Sequence, residues 1–181
     1  MVETCDSYSI ENKDRGMLLD DTGGQERMCQ SFTGNGGTLE AVWFYLSSTG
    51  SPSGYMYCYI YAHSGTFGTS SIPTGAPLAT SDALDSSTLS GEDQPAKFTF
   101  SGNEKIGLED GTYYVAGIYY ADGNYDTDYF EVSADSDGEH AGNYSYYLDS
   151  WTPVSAYDMC FRVYVDSPVE GRSYPLPPFR N

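Results

Sequence analysis

The chain has 181 residues, enough for one domain with a real core, and carries 26 Asp and Glu against 8 Lys and Arg, a formal charge of −18. That balance excludes a direct grip on nucleic acid, which needs a basic footprint, and does not suit an anionic membrane surface. Glycine (20), tyrosine (18) and plentiful Ser and Thr, with no long amphipathic helical run, predict an all-β chain.

Residues 1–24 are polar and Asp-rich and read as an N-terminal arm or edge segment. The start has neither a basic stretch nor an apolar run, so no signal peptide is expected, and no segment approaches membrane-spanning length. Residues 27–33 form a short strand, and Gly34-Asn35-Gly36-Gly37 a turn, because Gly and Asn accept positive φ cheaply. Residues 38–46 form a strong strand with Val42, Phe44 and Leu46 on one face and Trp43 and Tyr45 on the other. After a Gly/Ser/Pro loop, residues 54–66 alternate strictly. Met56, Cys58, Ile60 and Ala62 suit a core, and Tyr55, Tyr57, Tyr59 and Tyr61 line the opposite side.

Residues 65–77, broken by Gly65, Gly68, Pro73, Gly75 and Pro77, read as a long loop, and residues 78–85 as a modest strand. Strands are predicted over 95–101 and over 112–120, the most hydrophobic segment. In the latter, Tyr114, Ala116, Ile118 and Tyr120 alternate with Tyr113, Val115, Gly117 and Tyr119. Residues 129–134 and 144–148 follow, Trp151 stands near a turn at Pro153, and residues 159–165 complete the core. Eight or nine such strands with no crossover helix predict a jelly-roll-like antiparallel β-sandwich over residues 25–166. Residues 167–181, with Pro168, Pro175, Pro177 and Pro178, read as an extended tail, since proline donates no ladder bond.

Several pieces resemble a known pattern. They are Gln30-Ser31-Phe32-Thr33, residues 39–46, 50–54, 60–75 and 78–81, Phe98-Thr99-Phe100, residues 111–115, Gly142-Asn143, Trp151 and residues 160–164. In this order they resemble a β-sandwich domain of the choice-of-anchor type, common in phage and environmental bacterial proteins and often attached to virion or surface proteins. The resemblance implies a fold and a habitat rather than a reaction. With the missing leader, it makes a structural component of a phage-like virion the first expectation: a capsid decoration, fibre or appendage contacting copies of itself and other virion proteins. A secreted carbohydrate-binding or adhesion module is the alternative.

The candidate binding face comprises Trp43, Tyr45, Tyr55, Tyr57, Tyr59, Tyr113 and Tyr119. It serves as a subunit interface, a platform for glycan stacking, or a second core covered by an arm or loop. Asp122, Asn124, Asp126 and Asp128 place oxygen ligands at every second position, a spacing that suits calcium or a solvated acidic hairpin. In the tail, Tyr174, Leu176 and Phe179 supply apolar anchors, while Arg172 and Arg180 bring positive charge to an acidic chain; a docking arm, a frayed terminus and a tail folded back on its own sandwich are the readings. Cys5, Cys29, Cys58 and Cys160 lack zinc-site spacing, and only a Cys5–Cys29 bridge suggests itself, in an oxidising medium. No Ser sits in a nucleophile elbow, no motif selects a carboxylate pair, and His63 and His140 read as structural, so no enzyme and no required cofactor are expected.

Overall fold

The computed structural model describes residues 1–19, 25–89, 91–120, 122 and 126–167. They form two seven-stranded antiparallel sheets packed as a sandwich. In chain order the strands are β1 (Val2–Tyr8), β2 (Arg15–Leu19), β3 (Arg27–Thr33), β4 (Thr38–Thr49), β5 (Tyr55–Ser64), β6 (Ile72–Thr80), β7 (Leu84–Asp85), β8 (Gln94–Thr99), β9 (Tyr113–Tyr120), β10 (Tyr129–Asp135), β11 (Tyr144–Leu148), β12 (Ser150–Val154), β13 (Asp158–Met159) and β14 (Phe161–Asp166). Sheet A runs β1-β14-β4-β10-β13, with β2 on β10 and β8 on β4; sheet B runs β12-β11-β3-β9-β5-β6, with β7 on β5.

The two-residue side-chain period decides what each sheet turns inward. Sheet A contributes Val42, Phe44 and Leu46 of β4 with Phe130, Val132, Phe161, Val163 and Val165, all buried. Sheet B answers with Met28, Phe32, Met56, Cys58, Ile60, Ala116, Ile118 and Tyr120. Both sets belong to one continuous core. Within it, Phe44 meets Phe98 edge-on at 6.1 Å and Tyr120 meets Phe130 at 5.2 Å. Edge-to-face contact suits the aromatic quadrupole.

Two expectations change. The expected loop at 65–77 contains most of β6, and Trp151 and Pro153 lie in β12 rather than at a turn. The reason is the same for both. β6 and β12 are the outermost strands of the sheet B path, where an edge tolerates prolines such as Pro73, Pro77 and Pro153 and is protected by them from pairing further. The N-terminal segment takes the edge form: β1 pairs with β14, β2 with β10, and Tyr8 and Leu19 reach the core.

A buried polar cross-link joins the sheets. Gln30 of β3 donates from Nε2 to Asp158 Oδ1 at 2.9 Å and accepts at Oε1 from the Met159 N–H at 2.8 Å. The His140 N–H donates to Asp158 Oδ2 at 2.8 Å, while Tyr8 donates its hydroxyl to Asp135. Burial pushes the Asp158 carboxyl above its ordinary range. Removing Gln30 would leave a buried carboxylate oxygen and a backbone N–H without partners. Gln30→Ala is therefore expected to lower unfolding free energy by about 2–4 kcal/mol, read as a fall in the urea midpoint at unchanged slope.

Candidate functional site

The seven aromatics expected on one face are divided between the two outer faces of the sandwich. Trp43 and Tyr45 lie on the outside of sheet A, because Val42, Phe44 and Leu46 between and beside them point inward. Trp43 packs on Tyr164 of β14, centroids 5.0 Å apart, in a shallow groove of about 230 Å³ lined by Val2, Glu40, Ala41, Lys97 and Thr99. Its Nε1 is buried with no hydrogen-bond partner.

Tyr55, Tyr57, Tyr59, Tyr113 and Tyr119 lie on the outside of sheet B, and the register there gathers a larger array. Tyr57 of β5 stands opposite Tyr119 of β9, which stands opposite Arg27 of β3. Arg27 faces Tyr147 of β11, and Tyr147 faces Trp151 of β12. One row thus crosses five strands. The next row holds Tyr59, Gly117, Cys29 and Ser145, and the one beyond it Tyr61, Val115 and Ser31.

Small residues in the middle of these rows let the large rings lie down over them. A Cβ on Gly117 would stand 2.5 Å from Cys29 Sγ, so only glycine fits. Cys29, Val115 and Tyr61 are buried on this outer side as a second apolar cluster, with Tyr59 and Trp151 packed against it. The rings touch in sequence: Tyr57–Tyr59 at 6.5 Å, Tyr59–Tyr119 at 6.0 Å, Tyr59–Tyr61 at 6.0 Å, Tyr61–Trp151 at 6.2 Å and Trp151–Tyr147 at 5.2 Å. Arg27 closes the gap between the two halves, its guanidinium carbon 5.0 Å from the Tyr119 ring and 5.4 Å from that of Tyr147. Burial raises the Tyr59 and Tyr61 phenols above their ordinary value, so both stay neutral at physiological pH.

At the upper end of the face, Tyr113 stacks flat on Phe67, centroids 4.0 Å apart at 8°, with His63 edge-on to both rings. His63 Nε2 lies 3.0 Å from Ser71 Oγ. Ser71 is fully buried, and its backbone N–H donates to Asn143 Oδ1. The pair locks a turn. His140 is held from both sides: its Nδ1 accepts the Gly142 N–H at 3.0 Å, which leaves the proton on Nε2, 3.1 Å from Asp6 Oδ1.

The acidic loop uses its carboxylates on backbone. Asp122 Oδ2 accepts the Tyr55 N–H, and Asp128 accepts the Ser51 N–H at Oδ1 and the Thr127 hydroxyl at Oδ2. Among the described residues no group of three or more His, Cys, Asp or Glu is arranged to hold a metal ion. Asn124, Arg172, Tyr174, Leu176, Phe179 and Arg180 lie outside the described residues. The four thiols are free: Cys5 donates to the Thr33 carbonyl on one side of β3, while Cys29 packs on the outer face.

Arg27, Tyr61, Tyr147 and Trp151 complete the site and were not among the expected binding residues. Their signal in the sequence was slight, because cross-strand register between β3, β9, β11 and β12 joins residues far apart in the chain.

No family model matches the sequence, and no curated protein matches it. The resemblance to choice-of-anchor domains thus rests on the residues quoted for it. Among solved structures, the cysteine protease and lectin-like domains of Cwp84, a surface layer associated protein of Clostridium difficile, are similar at 11% identity and a TM-score of 0.48. The match covers 78% of this chain and 32% of that one, so this chain spans less than a third of the other's length.

Burial lowers the His63 pKa, so the fold favours the neutral ring. The stability this lends is complete above the ordinary histidine value of about 6.5 and declines as pH falls through it toward the depressed folded value. The melting temperature is expected to fall between about pH 7 and pH 5, and His63→Gln to flatten that slope in scanning calorimetry.

Proposed function

We propose that this is a non-enzymatic adhesion domain that works outside the cell and holds a glycan against the outer face of sheet B. One observation carries the reading: Tyr57, Tyr59, Tyr119, Tyr147 and Trp151 form a continuous half-exposed ring surface on a rigid five-strand floor. A sugar ring presents C–H groups from its flat faces, and aromatic side chains meet such faces with large apolar contact at little cost in side-chain entropy. Strands position these rings more firmly than loops would. Tyr55 and Tyr113, 55% and 44% exposed, extend the surface at its two ends.

The contacts of a glycan here would be stacking and hydrogen bonding, with no bond broken. Both histidines are engaged in fixing turns, which supports a binding role.

A second proposal keeps the particle-building role that the sequence resemblance implies. Its support is that tyrosine and tryptophan surfaces also form the centres of subunit contacts. The two readings part on the oligomeric state. A virion subunit using this face is expected to self-associate, whereas an adhesion domain is expected to sediment as a monomer of 19.8 kDa.

Affinity electrophoresis through gels containing soluble polysaccharides tests the first reading. Retardation by at least one polysaccharide is expected, with the double variant Tyr57→Ala/Trp151→Ala losing it about tenfold or more and Trp43→Ala, on the opposite face, retaining it. Retardation that survives the double variant, or that Trp43→Ala removes, would overturn the assignment of the face.

A further inference from the structure

The outward positions of sheet B have a charge pattern unlike the rest of the chain. Across β3, β5, β9, β11 and β12 they are Arg27, Cys29, Ser31 and Thr33; the tyrosines of β5 with His63; Tyr113, Val115, Gly117 and Tyr119; Ser145 and Tyr147; and Trp151 and Pro153. None is a carboxylate, although the sequence holds 26 of them and a formal charge of −18. Two acidic side chains stand at the rim of this face: Asp149 in the turn between β11 and β12, and Asp85 of β7, opposite Tyr55 and occupied in capping the Ser87 N–H and hydroxyl.

Into this uncharged field the fold places one cation. Lys13, Arg15 and Lys105 are each paired with a carboxylate, at Asp93, Asp14 and Glu40. Arg27 has no carboxylate partner among the described residues. It is held instead by the Tyr119 and Tyr147 rings, and its Nε is buried with no hydrogen-bond partner. A guanidinium fixed between two ring faces keeps its planar fork oriented while its hydrogen-bonding capacity stays incompletely used.

We infer that the glycan held by this face carries a carboxylate, and that Arg27 is the residue that selects it. This rests on the glycan-binding reading of sheet B and names the ligand class within it. A sugar carboxylate beside Arg27 would receive charge-assisted hydrogen bonds from a fork flanked by rings, while the neighbouring sugar faces lie on Tyr57 and Tyr119 to one side and Tyr147 and Trp151 to the other. The ligand fits best as a saccharide with isolated carboxylates rather than a dense polyanion. The remaining acidic surface repels a polyanion at long range, but at physiological salt that repulsion fades beyond about 8 Å, leaving the local contact to decide.

The test uses two matched probe pairs with the full chain, cellobiouronate against cellobiose and sialyllactose against lactose, each titrated calorimetrically at physiological salt. At least one acidic member is expected to bind about tenfold or more tightly than its neutral counterpart, the scale of a charge-assisted hydrogen bond. Arg27→Met, which retains an apolar stem between the rings, is expected to erase that preference. Arg27→Lys keeps the charge but loses the fork, and is expected to retain only part of the preference. Neutral and acidic members binding equally would overturn this inference and leave the glycan reading standing. An acidic preference unchanged in Arg27→Met would overturn the role of Arg27. Failure of every probe in both pairs would overturn the inference, while retardation by a neutral polysaccharide in the gel assay would still sustain the broader reading.

Discussion

Strand β9 runs between β3 and β5 in sheet B with an apolar side chain or none at all on both of its faces. Tyr114, Ala116, Ile118 and Tyr120 supply the inner core, which any sandwich requires. Val115 and Gly117 on the other side also have to leave water, and among the described residues no further sheet covers them. The large rings of β5 and β12, Tyr59, Tyr61 and Trp151, do so instead, packing with Cys29 and Val115 beside Gly117. The aromatic outer face is thus a packing solution in its own right. Because the rings are braced against buried neighbours, they form a fixed array, and a fixed array loses little entropy when something binds to it.

The acidity of the chain has a structural side that a net charge conceals. Many carboxylates accept backbone N–H groups at turns: Asp6 from Thr33, Asp14 from Ser136, Asp122 from Tyr55, Asp128 from Ser51 and Glu104 from Thr80. Each satisfies a donor that a tight loop leaves unpaired. Asp93 shows the balance of forces clearly. Burial alone would raise its pKa, but hydrogen bonds from Lys13 and Ser133 outweigh burial and hold it below the ordinary carboxylate value. Apart from Asp6, which lies within the edge strand β1, these carboxylates sit in loops and at strand ends. The flat middle of sheet B is left to tyrosine, tryptophan and one arginine.

Much of the sandwich was legible in the sequence because inward and outward residues alternate so regularly. The strand 27–33 and the faces of β4, β5 and β9 follow directly from that period. β6 and β12 were not legible, since Pro73, Gly75, Pro77 and Pro153 carry turn chemistry that only an edge position excuses. The partition of the aromatics was hidden for a different reason. Alternation says that Trp43 and Tyr57 both point away from a core, but strand pairing alone decides that they leave by opposite sides. Arg27 was hidden in the same way, because its partners Tyr119 and Tyr147 lie 92 and 120 residues further along the chain.

Two tryptophans, one on each outer face, make the central claim directly measurable. In a ¹⁵N-resolved NMR titration with the saccharide that the protein binds best, the indole N–H of Trp151 should move progressively and saturate while that of Trp43 stays in place. Movement of Trp43 with Trp151 unaffected would put the binding surface on sheet A and contradict the account.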